Sequence, residues 1–200
     1  MKTMVQTKSG KIPPRELAFD IDGVIADTFR VFVEVAANQY GIPIEYEEIT
    51  EYDYNKVVDI DEMTGREIIQ RILDDPVGIG IQPVSGATEI LNRLLRISPL
   101  LFVTARTEKN SIIDWMQQNI GFPDMNAVNL IATGSHEDKL PILMEYGIKY
   151  FVEDRLETCY LLDKASVTPI VFDQPWNRKP HPFIIAKTWD DIAEMIDWQH

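Results

Sequence analysis

Two carboxylates one residue apart, Asp20 and Asp22, end a short apolar run in the stretch Leu17-Ala18-Phe19-Asp20-Ile21-Asp22-Gly23-Val24-Ile25-Ala26-Asp27. Side chains two apart along an extended segment point the same way, so both acids can address one small volume. Like charges that close repel unless a cation or a shared proton compensates them, and a hard divalent metal is the natural third party. Gly23 lets the backbone turn sharply after them. Three further polar signals follow apolar runs: Thr104 in Leu101-Phe102-Val103-Thr104-Ala105-Arg106, then Lys139, then Glu153-Asp154 in Tyr150-Phe151-Val152-Glu153-Asp154-Arg155. Taken singly, an aspartate after a strand is usually a cap or turn residue, and a lysine before Pro141 is an exposed first-turn residue. Together, in this order, they are hard to obtain by chance.

Such residues meet only if the apolar runs are neighbouring strands that end on the same side. Buried parallel strands do this, and open α/β sheets place their ligands at the carboxyl ends. The chain has the alternation such a sheet requires. Helical spacing covers 28–40, where Gly41 and Pro43 stop it. From Pro83 onward, helices are expected at 87–96, 111–119, 139–146, 156–164 and 189–198, and strands at 100–104, 128–132, 150–153, 169–172 and 183–186. Between the first strand and this alternation, acidic clusters such as Glu45-Tyr46-Glu47-Glu48 alternate with apolar groups, and only 65–73 reads as a further helix. Pro76, Gly78, Gly80 and Pro83 mark the exit. The expected fold class is therefore α/β, a Rossmann-like parallel sheet flanked by helices. Residues 14–26 and 83–200 form the core domain, 27–82 a small helical cap domain, and 1–13 a mobile lead-in.

Composition narrows the partners. The 200 residues carry a formal charge of −13, which argues against a nucleic-acid polymer or an anionic membrane, since both are bound by excess Lys and Arg. A homodimer is left open. Cys159 is the single cysteine, so an internal disulfide is excluded, and no export signal or bilayer-length apolar run is visible. A cytoplasmic location is expected. His136, His181 and His200 lack metal-ligand spacing.

The four signals resemble those of the haloacid dehalogenase-like superfamily of phosphohydrolases. Asp20-Ile21-Asp22-Gly23-Val24 fits that family's first motif, hhhDxDG[VT]; Thr104 fits the second, Lys139 the third, and Glu153-Asp154 the acidic pair of the fourth. Many members carry two Asp in the fourth, so which of Glu153 and Asp154 touches the metal stays open. The resemblance implies a Mg²⁺-dependent phosphatase. Asp20 would be the nucleophile that forms an aspartyl-phosphate, and Asp22 the general acid and base. Thr104, Ala105 and Lys139 would bind the phosphoryl group, and Asp20, Asp22 (through its backbone carbonyl), Glu153 and Asp154 would surround the metal.

Trp115, Arg155 and Phe172-Asp173-Gln174-Pro175-Trp176-Asn177-Arg178 extend the likeness to the 5'(3')-deoxyribonucleotidase group. That group carries a small helical cap after the first motif and acts on (deoxy)nucleoside monophosphates. Arg106, Trp176 and Tyr52 are the leading substrate contacts, although Arg106 is as well placed to pin an acidic neighbour and Trp176 to anchor its loop. Phe29, Tyr46 and Tyr54 could stack on a base, while aromatic residues in a small bundle are more often core. The alternatives are a phosphatase for a sugar phosphate or other metabolite, and a non-catalytic nucleotide-binding regulator. Haloacid dehalogenation is disfavoured by Asp22 and the acidic pair.

Overall fold

A computed structural model describes residues 10–199; the first nine residues of the expected lead-in, and His200, lie outside the described residues. Six strands form one wholly parallel sheet: β1 Leu17–Phe19, β2 Leu100–Thr104, β3 Val128–Ala132, β4 Tyr150–Glu153, β5 Thr168–Phe172 and β6 Ile184–Ala186. Their spatial order is β3-β2-β1-β4-β5-β6. The first strand is thus central, between β2 and β4, with Phe19 opposite Phe102 on one side and Val152 on the other. This order brings the ends of β1, β2 and β4 side by side.

Near-continuous apolar strands are what a sheet covered on both faces demands, and alternate residues go to opposite layers. Phe19, Phe102, Val152 and Ile170 face helices α3 (Ala87–Leu95) and α7 (Trp189–Met195), whose Leu91 and Ile192 share their cluster. Ala18, Leu101, Val103 and Phe151 face the other way, onto Leu143 of α5 (Lys139–Glu145) and Leu162 of α6 (Leu156–Lys164). Helix α4 (Asn110–Trp115) continues as a π turn over Met116–Ile120.

Between β1 and α3 the chain forms two helices, α1 (Thr28–Tyr40) and α2 (Glu62–Asp74), joined through short 3-10 turns at Tyr46–Glu48 and Tyr54–Lys56. No strand occurs there. Val31, Phe32 and Val35 of α1 and Ile68 and Ile72 of α2 bury their apolar stripes in the same cluster as the sheet, as amphipathic helices must. The way in and the way out are tied together: Ala26 bridges Pro83, Asp27 N donates to Gln82 O at 3.0 Å, and Val84 N to Ile25 O at 2.7 Å. Trp115 adds a bond from Nε1 to Ile81 O at 2.8 Å.

Two boundaries differ from the periodicity by three residues. The last helix stops at Met195 rather than 198, because Ile196 turns extended (ψ 142°) and bridges Ile12. Ile12 donates from its N to Met195 O and accepts from Asp197 N, both at 2.8 Å, and is buried. No feature of residues 10–13 signals that anchor. The second is α2, which starts earlier than expected because Asp61 caps it, accepting from Thr64 N at 2.9 Å.

Trp189 is fully buried against Phe19, its ring centroid 5.4 Å away, and donates from Nε1 to Val24 O at 3.0 Å. It therefore supports both the central strand and the loop that follows. Trp189→Phe strands the Val24 carbonyl and leaves a small void, so it should lower unfolding stability by about 1–3 kcal/mol, read as a lower urea midpoint at unchanged slope.

Candidate active site

The site begins where β1 ends. Asp20 N still donates to Val152 O at 2.9 Å, and then Val24, Ile25 and Ala26 all turn their N–H groups onto Ile21 O at 3.2, 2.8 and 2.9 Å. Gly23 lies at the apex with φ +76°, and a side chain there would place its Cβ 2.2 Å from Asp154 Oδ2. Glycine is required on both counts: the left-handed backbone and the close approach of the β4 loop.

The centre is a lysine without contact to water. Lys139 opens α5 and is fully buried, with Nζ 2.8 Å from Asp20 Oδ2 and 2.9 Å from Glu153 Oε2. Burial alone would lower its pKa, but the two carboxylates reverse the effect and hold it protonated. Glu153 uses its other oxygen to accept from the backbone N–H groups of Asp154 and Arg155, at 3.2 and 3.1 Å. These partners overcome burial and hold Glu153 below the usual carboxylate range.

Asp20 and Asp154 are less well compensated. Burial pushes both well up, with Lys139 countering at Asp20 and Glu153 and Asp20 adding repulsion at Asp154. Asp154 Oδ2 accepts from Trp176 Nε1 at 3.0 Å, while Oδ1 is buried with no partner among the described residues. Asp20, Glu153 and Asp154 each offer a carboxylate oxygen, all within 4.8 Å of one another. Three clustered acids, one lysine and an orphaned buried carboxylate oxygen fit a hard cation bound by oxygen. With Glu153 committed to Lys139 and the backbone, Asp20 and Asp154 are the acids with capacity to ligate.

Asp22 is not part of that cluster. Its carboxylate is gripped by Arg106, Nε to Oδ2 at 2.9 Å and Nη2 to Oδ1 at 2.7 Å, and Oδ1 also accepts from Thr28 Oγ1 at 2.6 Å. Burial would raise its pKa, but this bidentate pair lowers it, so Asp22 is ionised. The two acids of the first motif thus compensate their charges separately, one through lysine and one through arginine. Arg106 extends its remaining nitrogen to Leu73 O near the end of α2, at 3.3 Å, and Ser111 Oγ shares that carbonyl at 2.8 Å.

Thr104 ends β2 with its hydroxyl accepting from Arg106 N at 3.2 Å, and Ala105, half-buried, lies between them. Trp176 is buried, with its one donor committed to Asp154 and its ring 4.7 Å from that of Phe29. Tyr52, from the segment between α1 and α2, is the third substrate candidate. Burial raises its hydroxyl pKa, with the charges of Asp154, Asp20, Glu153 and Asp22 adding to the shift, and its ring centre lies 5.3 Å from the guanidinium carbon of Arg155, the residue after Asp154. Phe29 packs on Phe32, Tyr52, Tyr54 and Trp176, and Tyr54 on Phe32, so both sit within an aromatic cluster.

Sequence reasoning missed part of the support. Gln174 donates to Gly23 O at 2.7 Å and accepts from Tyr46 Oη at 2.7 Å, and Asn177 donates to both Asp154 O and Phe172 O at 2.8 Å. Both lie in the Phe172–Arg178 stretch that carries the family likeness, but nothing in the residues signalled these bonds. Thr28 gave no hint, since its position is that of any helix-start residue.

The profile of the family described as 5' nucleotidase, deoxy (pyrimidine), cytosolic type C protein matches residues 15–199. A protein of Oceanobacillus iheyensis classed by name as a nucleotidase is 20% identical over 186 residues, covering 90% of this chain and 97% of its own. Among solved structures, a subfamily IA haloacid dehalogenase-superfamily hydrolase of Geobacter sulfurreducens aligns with a TM-score of 0.59 at 16% identity, over 96% of this chain and 100% of that one. CbbY of Rhodobacter sphaeroides, solved with phosphate, aligns at 0.57 and 16%, over 92% and 97%. At such identities the likeness fixes the fold. Removing the indole donor should loosen Asp154: Trp176→Phe is expected to weaken divalent-cation binding by about tenfold or more in a calorimetric titration, with the fold retained by circular dichroism.

Proposed function

The chain belongs to the family of 5' nucleotidase, deoxy (pyrimidine), cytosolic type C proteins and is a phosphohydrolase of the haloacid dehalogenase-like superfamily; on that premise we propose that it is a Mg²⁺-dependent phosphatase of (deoxy)nucleoside monophosphates that works through an aspartyl-phosphate on Asp20. The observation that carries this reading is the buried Lys139 between Asp20 and Glu153, beside an Asp154 with an unpartnered oxygen.

Asp20 Oδ1 is the oxygen left free by the lysine and is the attacking atom. It forms a bond to phosphorus as the ester P–O bond breaks and the leaving alcohol takes a proton from Asp22. A water then attacks the acyl phosphate, gives a proton back to Asp22, and restores the Asp20 carboxylate while releasing inorganic phosphate. Asp22 is ionised as it stands, which suits the second half-reaction. The first half-reaction requires Arg106 to relax its hold so that the acid can carry a proton.

Lys139 touches Asp20, and Thr104, followed by Ala105, ends β2, the strand next to β1; these groups would receive the phosphoryl oxygens. Asp20 and Asp154, with the main-chain carbonyl of Asp22, would hold the cation, whose charge would offset that of the phosphate dianion and the nucleophile. Tyr52 would close the site from the α1–α2 side, where the choice of leaving group would be made. The family is described as cytosolic, and a reducing, cytoplasmic setting suits the buried, unpaired Cys159; no described helix is long and apolar enough to cross a membrane.

Purified protein with Mg²⁺ should hydrolyse deoxynucleoside monophosphates, lose that activity to a chelator and regain it on adding Mg²⁺. Asp20→Asn should cut turnover by about 10³-fold or more without loss of the folded circular dichroism spectrum. Substantial turnover in that variant would contradict the role given to Asp20.

A further inference from the structure

Gln174 follows β5 and is buried, and its side-chain amide spans two parts of the chain that the sequence keeps far apart. Nε2 donates to Gly23 O at 2.7 Å, and Oε1 accepts from Tyr46 Oη, also at 2.7 Å. A carbonyl can only accept, so the amide nitrogen must face Gly23 and the oxygen Tyr46. Burial raises the Tyr46 hydroxyl pKa, so the phenol keeps its proton and is the donor.

The backbone of Gln174 is tied as well. Its N–H donates to Asn177 Oδ1 at 3.1 Å, and Asn177 Nδ2 donates to Asp154 O at 2.8 Å. One bracket, Gln174 with Asn177, thus holds the loop after β1 and the loop after β4 together. The two loops also touch directly, since a Cβ on Gly23 would fall 2.2 Å from Asp154 Oδ2. A displaced Gly23 peptide therefore presses on the Asp154 carboxylate and moves the main chain that carries the Asp22 carbonyl. Gln174 and Tyr46 line a cavity at the starts of α3 and α7, which neither Asp20, Asp154, Lys139 nor Thr104 borders. The amide faces away from the reacting groups and reaches them through Gly23.

We propose that Gln174 is a positioning residue for the phosphatase reaction. Through the Gly23 carbonyl it sets the Asp22 main chain against Asp154, and through Tyr46 it makes that placement depend on the segment between α1 and α2. The role rests on the phosphatase reading and adds to it a residue outside the reacting set. A mere loop anchor would change stability alone. A positioning residue also moves the chemical step and cation binding, and Tyr46 must work through it.

Gln174→Met nearly keeps the volume and removes both bonds, while Tyr46→Phe keeps the ring contacts with Arg30 and Trp176 and removes only the hydroxyl. Gln174→Met should lower kcat about tenfold or more on both dUMP and p-nitrophenyl phosphate, with KM little changed, and should weaken Mg²⁺ binding by a similar factor in a calorimetric titration without substrate. Tyr46→Phe should lower kcat about threefold or more, and the double variant should be no worse than Gln174→Met alone. Should Gln174→Met lose the folded circular dichroism spectrum, Gln174→Glu, which keeps an acceptor for Tyr46 and lacks the donor for Gly23, carries the same expectation. Unchanged kcat and Mg²⁺ affinity in the Gln174 variant, a KM effect on dUMP alone, or a Tyr46→Phe effect that multiplies with that of Gln174→Met would overturn the positioning role and leave the phosphatase reading in place. Wild-type protein that turns over neither substrate would overturn that reading, and the Mg²⁺ titrations of the same proteins would then decide whether Gln174 and Tyr46 place the cation site. Absence of Mg²⁺ binding by that inactive wild type would overturn both.

Discussion

The structure depends on one buried ammonium group. Lys139 Nζ sits between Asp20 and Glu153 with no exposure to water. Taking three charges out of water is costly, and the arrangement holds only because each is paired at hydrogen-bonding distance. Removing one partner from such a set typically costs about 3–5 kcal/mol, so the lysine is as much a structural element as a functional one. It also fixes the sheet order that can work: Asp20 leaves β1, Glu153 ends β4 and Lys139 opens α5, so these must converge at one carboxyl edge. The central place of β1 satisfies that requirement.

The acids are then divided between tasks by their counter-charges. Asp22 takes arginine and a hydroxyl, which keep it ionised and tie it through Arg106 to Leu73 near the end of α2. Asp154 takes only an indole N–H and a close glycine, which leaves one oxygen bare in a buried place. The inserted α1–α2 segment is joined to this machinery at several points: Leu73 on Arg106, Tyr46 on Gln174, and Tyr52 against His136 and Arg155. Its entry and exit are pinned together at Ala26 and Pro83. A change in the position of α2 would therefore be felt at Asp22 through a single side chain.

Much of this was legible in the residues alone. Strands β2, β3 and β4 and helices α1 and α6 fall where apolar runs and helical spacing put them, because each is long enough or apolar enough for local pattern to govern. Asp20, Lys139 and the Glu153-Asp154 pair also meet, since parallel strands leave few other arrangements. Arg106 does pin an acidic neighbour, as its place allowed, but which partner each acid takes could not be read. Asp20 and Asp22, two apart, were expected to share one volume, yet they take different cations from positions 139 and 106. Trp176, equally readable as a substrate contact or an anchor, is held by Asp154, 22 residues away. The end of α7 is set by Ile12 at the opposite end of the described chain. Such contacts follow from tertiary geometry, which periodicity does not carry.

The central claim is that Asp20, held by Lys139, attacks phosphorus. The most direct measurement is to quench the protein with borohydride during turnover of dUMP and map the modified peptide by mass spectrometry, since borohydride reduces an acyl phosphate to the alcohol. The account predicts reduction of the side chain at position 20, absent without substrate. An unmodified Asp20 during active turnover, or reduction at Asp22 or Asp154 instead, would contradict it.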